Sequence, residues 1–122
     1  MNNRLENRSP SRFQVLEYIL ASQTETGCMA RSLMVDLSLR GCQIRSREKF
    51  QTGDMVMLHI PRSGQDSMEL HTQVTYCYKM SEDDIYCTGF SFKPAQRSEQ
   101  IQIAHYLYDR VISKDGFYNF ED

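Results

Sequence analysis

The sequence predicts a mainly β domain, a six-stranded antiparallel β-barrel closed off by one C-terminal α-helix. Three observations predict it. Apolar and polar residues alternate in run after run. Clusters of turn-forming residues separate the runs. After Pro94 the apolar spacing changes from two to three or four. Six short strands at such intervals favour a closed or partly closed barrel, which also removes the unpaired edges that invite aggregation.

The first strand is expected over Phe13 to Leu20, which is apolar on both faces and rests on β-propensity alone. In the second, Leu33, Val35 and Leu37 alternate with Ser32, Met34 and Asp36, so the three aliphatic residues are expected inside. Cys42 and Ile44 alternate with Gln43 and Arg45 in the third, and Val56, Leu58 and Ile60 mark the fourth. The fifth is the longest: Met68, Leu70, Thr72, Val74, Tyr76 and Tyr78 share one face, and Glu69, His71, Gln73, Thr75, Cys77 and Lys79 the other. Tyr86, Thr88, Phe90 and Phe92 form the sixth. Gln51–Asp54, Arg62–Asp66 and Ser81–Asp84 have loop compositions. Ile101, Ala104, Leu107, Tyr108 and Val111 then fall on one stripe of a helix of roughly four turns, with Gln102, His105 and Asp109 between them.

This organisation divides the chain into a polar arginine-bearing arm (residues 1–12), a barrel with its helix (13–113) and an acidic-aromatic tail (114–122). A frayed end is the simplest reading of the tail, and docking onto the barrel or a partner the alternative. A chain of 122 residues suits one domain that needs no disulfide or metal to fold. The net charge of −2 argues against long nucleic acid as a partner, since that requires a basic surface. It leaves room for a small dianion held by a local arginine cluster. The first ten residues lack the apolar stretch of a secretory signal, and Met55–Leu58 is far too short to cross a bilayer. A cytoplasmic protein without membrane insertion is expected, with Cys28, Cys42, Cys77 and Cys87 as reduced thiols.

Two motifs carry the chemistry. Arg4, Arg8 and Arg12 are spaced four apart, and Asp36-x-Ser38-x-x-Gly41 lies between the second and third strands. Together they resemble the PilZ domain family, whose pattern is R-x-x-x-R followed by D/N-x-S-x-x-G. Arg8-Ser-Pro-Ser-Arg12 leads into the first strand as the family's arginine pair does, and the strand order and final helix also correspond. Arg4 and Arg8 fit the spacing as well; Arg8 and Arg12 are favoured because Arg12 abuts the strand. The resemblance implies a cyclic di-GMP receptor that is not an enzyme and needs no cofactor. It also implies an arm that orders on the ligand and a protein partner in motility, pilus or exopolysaccharide machinery. Some members of the family act as interaction adaptors without nucleotide, and that is the alternative.

The residue types suit such a ligand. Guanine offers O6 and N7 as adjacent acceptors for a guanidinium, and arginine also pairs with phosphate and stacks on purines. A carboxylate such as Asp36 accepts from the guanine N1 and N2 donors. Ser38 supplies a hydroxyl, and Gly41 is expected to provide positive φ and close approach of the backbone to the ligand. Arg40 is a further candidate contact. Against these stand simpler roles, a solvated tail for the arginines and local turn bonds for Asp36 and Ser38. Other chemistries find no support. His59, His71 and His105 are scattered, no metal-ligand spacing occurs, and no phosphate-binding glycine loop is present. Tyr76–Tyr78 and Phe90–Phe92 could imitate a platform for single-stranded RNA, but strand alternation assigns them to the barrel core.

Overall fold

The computed structural model describes residues 12–62, 64–80, 84–94 and 96–110. Arg4, Arg8, Ser81, Asp83, Val111 and the tail from residue 114 onward lie outside the described residues. Six strands appear: β1 (Phe13–Gln23), β2 (Met29–Leu37), β3 (Gly41–Ser46), β4 (Met55–Arg62), β5 (Gln65–Lys79) and β6 (Tyr86–Phe92). One helix follows, α1 (Arg97–Arg110). The strands close into a barrel in the order β1-β2-β3-β6-β5-β4, every pair antiparallel. The β1–β2 hairpin runs three residues further than the sequence predicted, and Gly27 at φ 75° closes it with a bond to the Gln23 carbonyl.

The core forms where period-2 alternation points inward. Ile44, Leu58, Ile60, Leu70 and Val74 are buried, as predicted, and so are Thr88 and Phe90. Buried hydroxyls find partners: Thr72 donates to the Val56 carbonyl at 2.7 Å and Thr88 to the Cys77 sulfur at 3.3 Å. The apolar second face of β1 stays outside, with Leu16, Tyr18 and Leu20 exposed.

Two strands depart from the predicted alternation, each at a bulge. Opposite β3, the pairing jumps from Met34 to Asp36, so Val35 is an extra residue on β2. An extra residue exchanges the two faces of everything beyond it. Before the bulge Ser32 and Met34 point inward, not Leu33 and Val35; beyond it Leu37 is buried and Asp36 turns outward. On β5, opposite β6, the pairing jumps from Val74 to Tyr76, so Thr75 is the extra residue. Tyr76 and Tyr78 are therefore exposed rather than in the core, and Cys77 packs inward instead.

The helix is also rotated from its predicted face. Ile101, Ala104 and Tyr108 are exposed, and of the predicted stripe within the described residues only Leu107 is buried. The inner face is Glu99, Ile103, Tyr106 and Leu107, continued by the half-buried Arg110. These positions step by four, three, one and three, which is a helical stripe with charged ends. Glu99 accepts from the His71 backbone N–H at 3.3 Å and meets the His71 Nδ1 at 2.7 Å. Arg110 pairs with Glu17, and the Tyr106 hydroxyl donates to the same carboxylate at 3.5 Å. The helix is thus fixed to β5 at one end and to β1 at the other, which sets its rotation.

Two outcomes are expected. Leu58→Ala should lower the unfolding free energy by about 3 kcal/mol in urea titration, whereas Tyr108→Ala should change it by less than about 0.5 kcal/mol. Burial raises the Tyr106 phenol from 10.0 to about 12; Arg110 pulls it down and Glu17 pushes it up. The folded state therefore holds this proton more tightly than the unfolded one. The resulting stability is complete below pH 10.0 and is lost as pH rises through about 12. Denaturant titrations across this alkaline range should show Tyr106→Phe losing less stability than wild type.

Candidate functional site

The turn from β2 to β3 is built by its own serine. Ser38 is buried, and its backbone N–H donates to the Gly41 carbonyl at 2.9 Å. Its hydroxyl accepts from the N–H groups of Arg40 (3.1 Å) and Gly41 (3.3 Å), and donates to the Gly41 carbonyl at 3.3 Å. This side chain makes the local backbone bonds typical of serine at turns.

Gly41 departs from its expected conformation. Its φ is not positive; the described positive-φ glycines are Gly27, Gly53 and Gly64. A Cβ at Gly41 would lie 2.1 Å from the Phe90 carbonyl oxygen. The glycine therefore permits close approach of β3 to β6, where Gly41 pairs with Ser91.

The outward turn of Asp36 completes the arrangement. Arg12, just before β1, donates from Nη1 to Asp36 Oδ1 at 2.9 Å. The strand register explains the meeting, since Phe13 faces Leu37 and Gln14 faces Asp36. The arginine side chain is 50% exposed and the carboxylate 20%. An ion pair this open is worth no more than about 1 kcal/mol, so an incoming ligand can replace it at little cost. Beneath it, burial pushes the Cys42 thiol well up, with the Asp36 charge acting in the same direction and Arg12 against it. Cys42 is a neutral core residue, and the four cysteines are free.

Arg12, Asp36, Ser38 and Gly41 thus gather at one corner of the barrel. Arg40 is exposed and lines a hollow with Phe92, Pro94, Gln100 and Ile103, between the turn and the helix. Its carbonyl accepts from the Phe92 N–H at 2.8 Å.

The sequence reading passed over the neighbours of Asp36 on the outer surface. Asp36 faces Gln43, Gln43 faces Gly89, and Gly89 faces Tyr76, one row across β2, β3, β6 and β5. Alternation along β3 already placed Gln43 on the outside; Tyr76 needed knowledge of the bulge. Among the described residues no group of three or more His, Cys, Asp and Glu side chains could hold a metal. No described helix is long and apolar enough to cross a membrane.

Comparison with known proteins follows the same lines. A family model described as the PilZ domain matches residues 2–109. Comparison with curated proteins gives no match. Among solved structures, the PilZ domain with c-di-GMP of YcgR from Escherichia coli aligns with a TM-score of 0.72 at 11% identity. That alignment covers 95% of this chain and 98% of the other. The K. pneumonia MrkH–c-di-GMP complex gives 0.69 at 16% identity, over 84% of this chain and 52% of MrkH. The Bacillus subtilis inhibitor of motility MotI/DgrA gives 0.67 at 16% identity, over 88% and 52%. This chain spans about half the length of the last two. With the family matched over nearly its whole length and the closed barrel and final helix in place, the chain belongs to the PilZ domain family.

Proposed function

We propose that this protein is a receptor for cyclic di-GMP that acts as a non-enzymatic effector. The observation that carries the reading is the contact between Arg12 and the outward-turned Asp36 at the barrel corner. A guanidinium and a carboxylate held side by side complement the two polar edges of guanine. One supplies donors to O6 and N7, and the other accepts from N1 and N2. Two of the similar structures are named as c-di-GMP complexes, which supports carrying this ligand over to the present chain.

Within this reading the roles divide. Asp36 and Arg12 meet the ligand directly, and Arg8 supplies the second guanidinium for base or phosphate. Ser38 and Gly41 act by shaping the corner: the serine ties the turn, and the glycine brings β3 against β6. Arg40 and Arg4 are further phosphate contacts. The N-terminal arm closes over the ligand, and the surface so formed is what a protein partner in motility, pilus or exopolysaccharide machinery recognises.

A second reading, an adaptor that needs no nucleotide, draws on the exposed Leu16 and Tyr18 of β1, which are 69% and 72% exposed. The two readings differ in ligand response.

Cyclic di-GMP at about a hundred times its dissociation constant should add roughly 2.7 kcal/mol of stability, a rise in Tm on the order of 10 °C. GTP and short RNA should give no such rise, and the dinucleotide should be recovered intact. An unchanged Tm with excess dinucleotide would leave the adaptor reading. In calorimetry, Arg12→Ala, Arg8→Ala and Asp36→Ala should each weaken binding by about 2–3 kcal/mol. Unchanged affinity in the two arginine variants would show the site to be elsewhere. A loss in Arg4→Ala equal to that in Arg12→Ala would move the register to Arg4 and Arg8.

A further inference from the structure

The outer surface beside Asp36 holds a pair of aromatic rings whose position the barrel core does not explain. Tyr76 lies against Gly89: a Cβ there would be 2.2 Å from its ring. Its hydroxyl accepts from Gln43 Nε2 at 2.6 Å, so the ring is laid across β6 and fixed at its far end on β3. Tyr78 runs beside it, with centroids 6.0 Å apart and planes 20° apart. Tyr76 is 38% exposed and Tyr78 55%. The next row brings Arg45, Cys87 and Tyr78 into register, and Arg45 is exposed. Two stacked tyrosine rings with a cation at their margin therefore adjoin the Arg12–Asp36 corner. From β2 to β6 is two strand spacings, about 10 Å. A cyclic dinucleotide carries its bases on opposite sides of a phosphodiester ring and can bridge such a gap.

We infer that Tyr76, held in place by Gln43, is a stacking surface for a guanine of the ligand, with Tyr78 stacked beside it. This rests on the cyclic di-GMP reading above. The competing role for Tyr76, covering a strand glycine, concerns the stability of the sheet and gives no dependence on nucleotide.

Calorimetry with cyclic di-GMP separates the two. Tyr76→Ala should weaken binding about tenfold or more, the scale of base–aromatic stacking. Tyr76→Phe keeps the ring and should stay within about threefold of wild type. The chain has no tryptophan, so Tyr76→Trp introduces a single reporter; its emission should change on saturation with cyclic di-GMP and not with GTP. If Tyr76→Ala binds like wild type while Arg12→Ala does not, the platform is overturned and the receptor reading stands. If neither substitution changes binding, the receptor site itself is wrong. Should Tyr76→Ala fail to fold, an unchanged emission from Tyr76→Trp at saturating ligand would overturn the platform.

Discussion

Two extra residues in the strands decide which side of the barrel wall the chemistry faces. A strand shows alternate side chains to alternate faces, so an additional residue against an unbroken partner reverses everything past it. Val35 does this on β2 and Thr75 on β5. Were the inward phase of Ser32 and Met34 to continue unbroken, Asp36 would enter the core and Leu37 would meet water. With the bulge, Leu37 is fully buried and the carboxylate reaches Arg12. The bulge on β5 treats Tyr76 in the same way, and the register then places Asp36 and Tyr76 in one outer row. Closure of the barrel holds both bulges in place, because a register slip in any strand would have to be matched by its two neighbours.

The helix shows the same economy from the other end of the molecule. Its buried stripe is bounded by two charges, Glu99 toward β5 and Arg110 toward β1. Ile103, Tyr106 and Leu107 fill the space between. Tyr106 adds to both aspects, since its ring lies under the Arg110 guanidinium at 5.9 Å and its hydroxyl shares the Glu17 carboxylate. The arginine of the candidate site therefore immediately precedes β1, and the helix anchor follows on β1 five residues later.

Much of this was legible in the residues, and the failures have physical causes. Alternation located the faces of β3 and β4 correctly, because no bulge against a neighbour interrupts their buried runs. It failed on β2 before the bulge and on β5 beyond it, where the extra residues are an ordinary valine and threonine that fit a strand as well as their neighbours do. The helix was visible from its period, but its face was not. Ile101 and Tyr108 compete with Ile103 and Tyr106, and the deciding partners, His71 and Glu17, lie far away in the chain. At the site, Arg12 and Asp36 could be paired from their motifs. The role of Gly41 could not, since it depends on the carbonyl of Phe90 in a strand reached only after a long excursion. Tyr76 was hidden for the same reason as the bulge that exposes it.

The way Ser38 ties its turn has a consequence for how this protein can be tuned. Its hydroxyl and amide, and the Arg40 carbonyl, have partners before any ligand arrives. The corner is a fixed anvil, so on the receptor reading no ordering entropy is spent on the turn itself. On that reading tuning falls to residues outside the turn, whose substitution can change affinity without disturbing the backbone bonds that shape the corner.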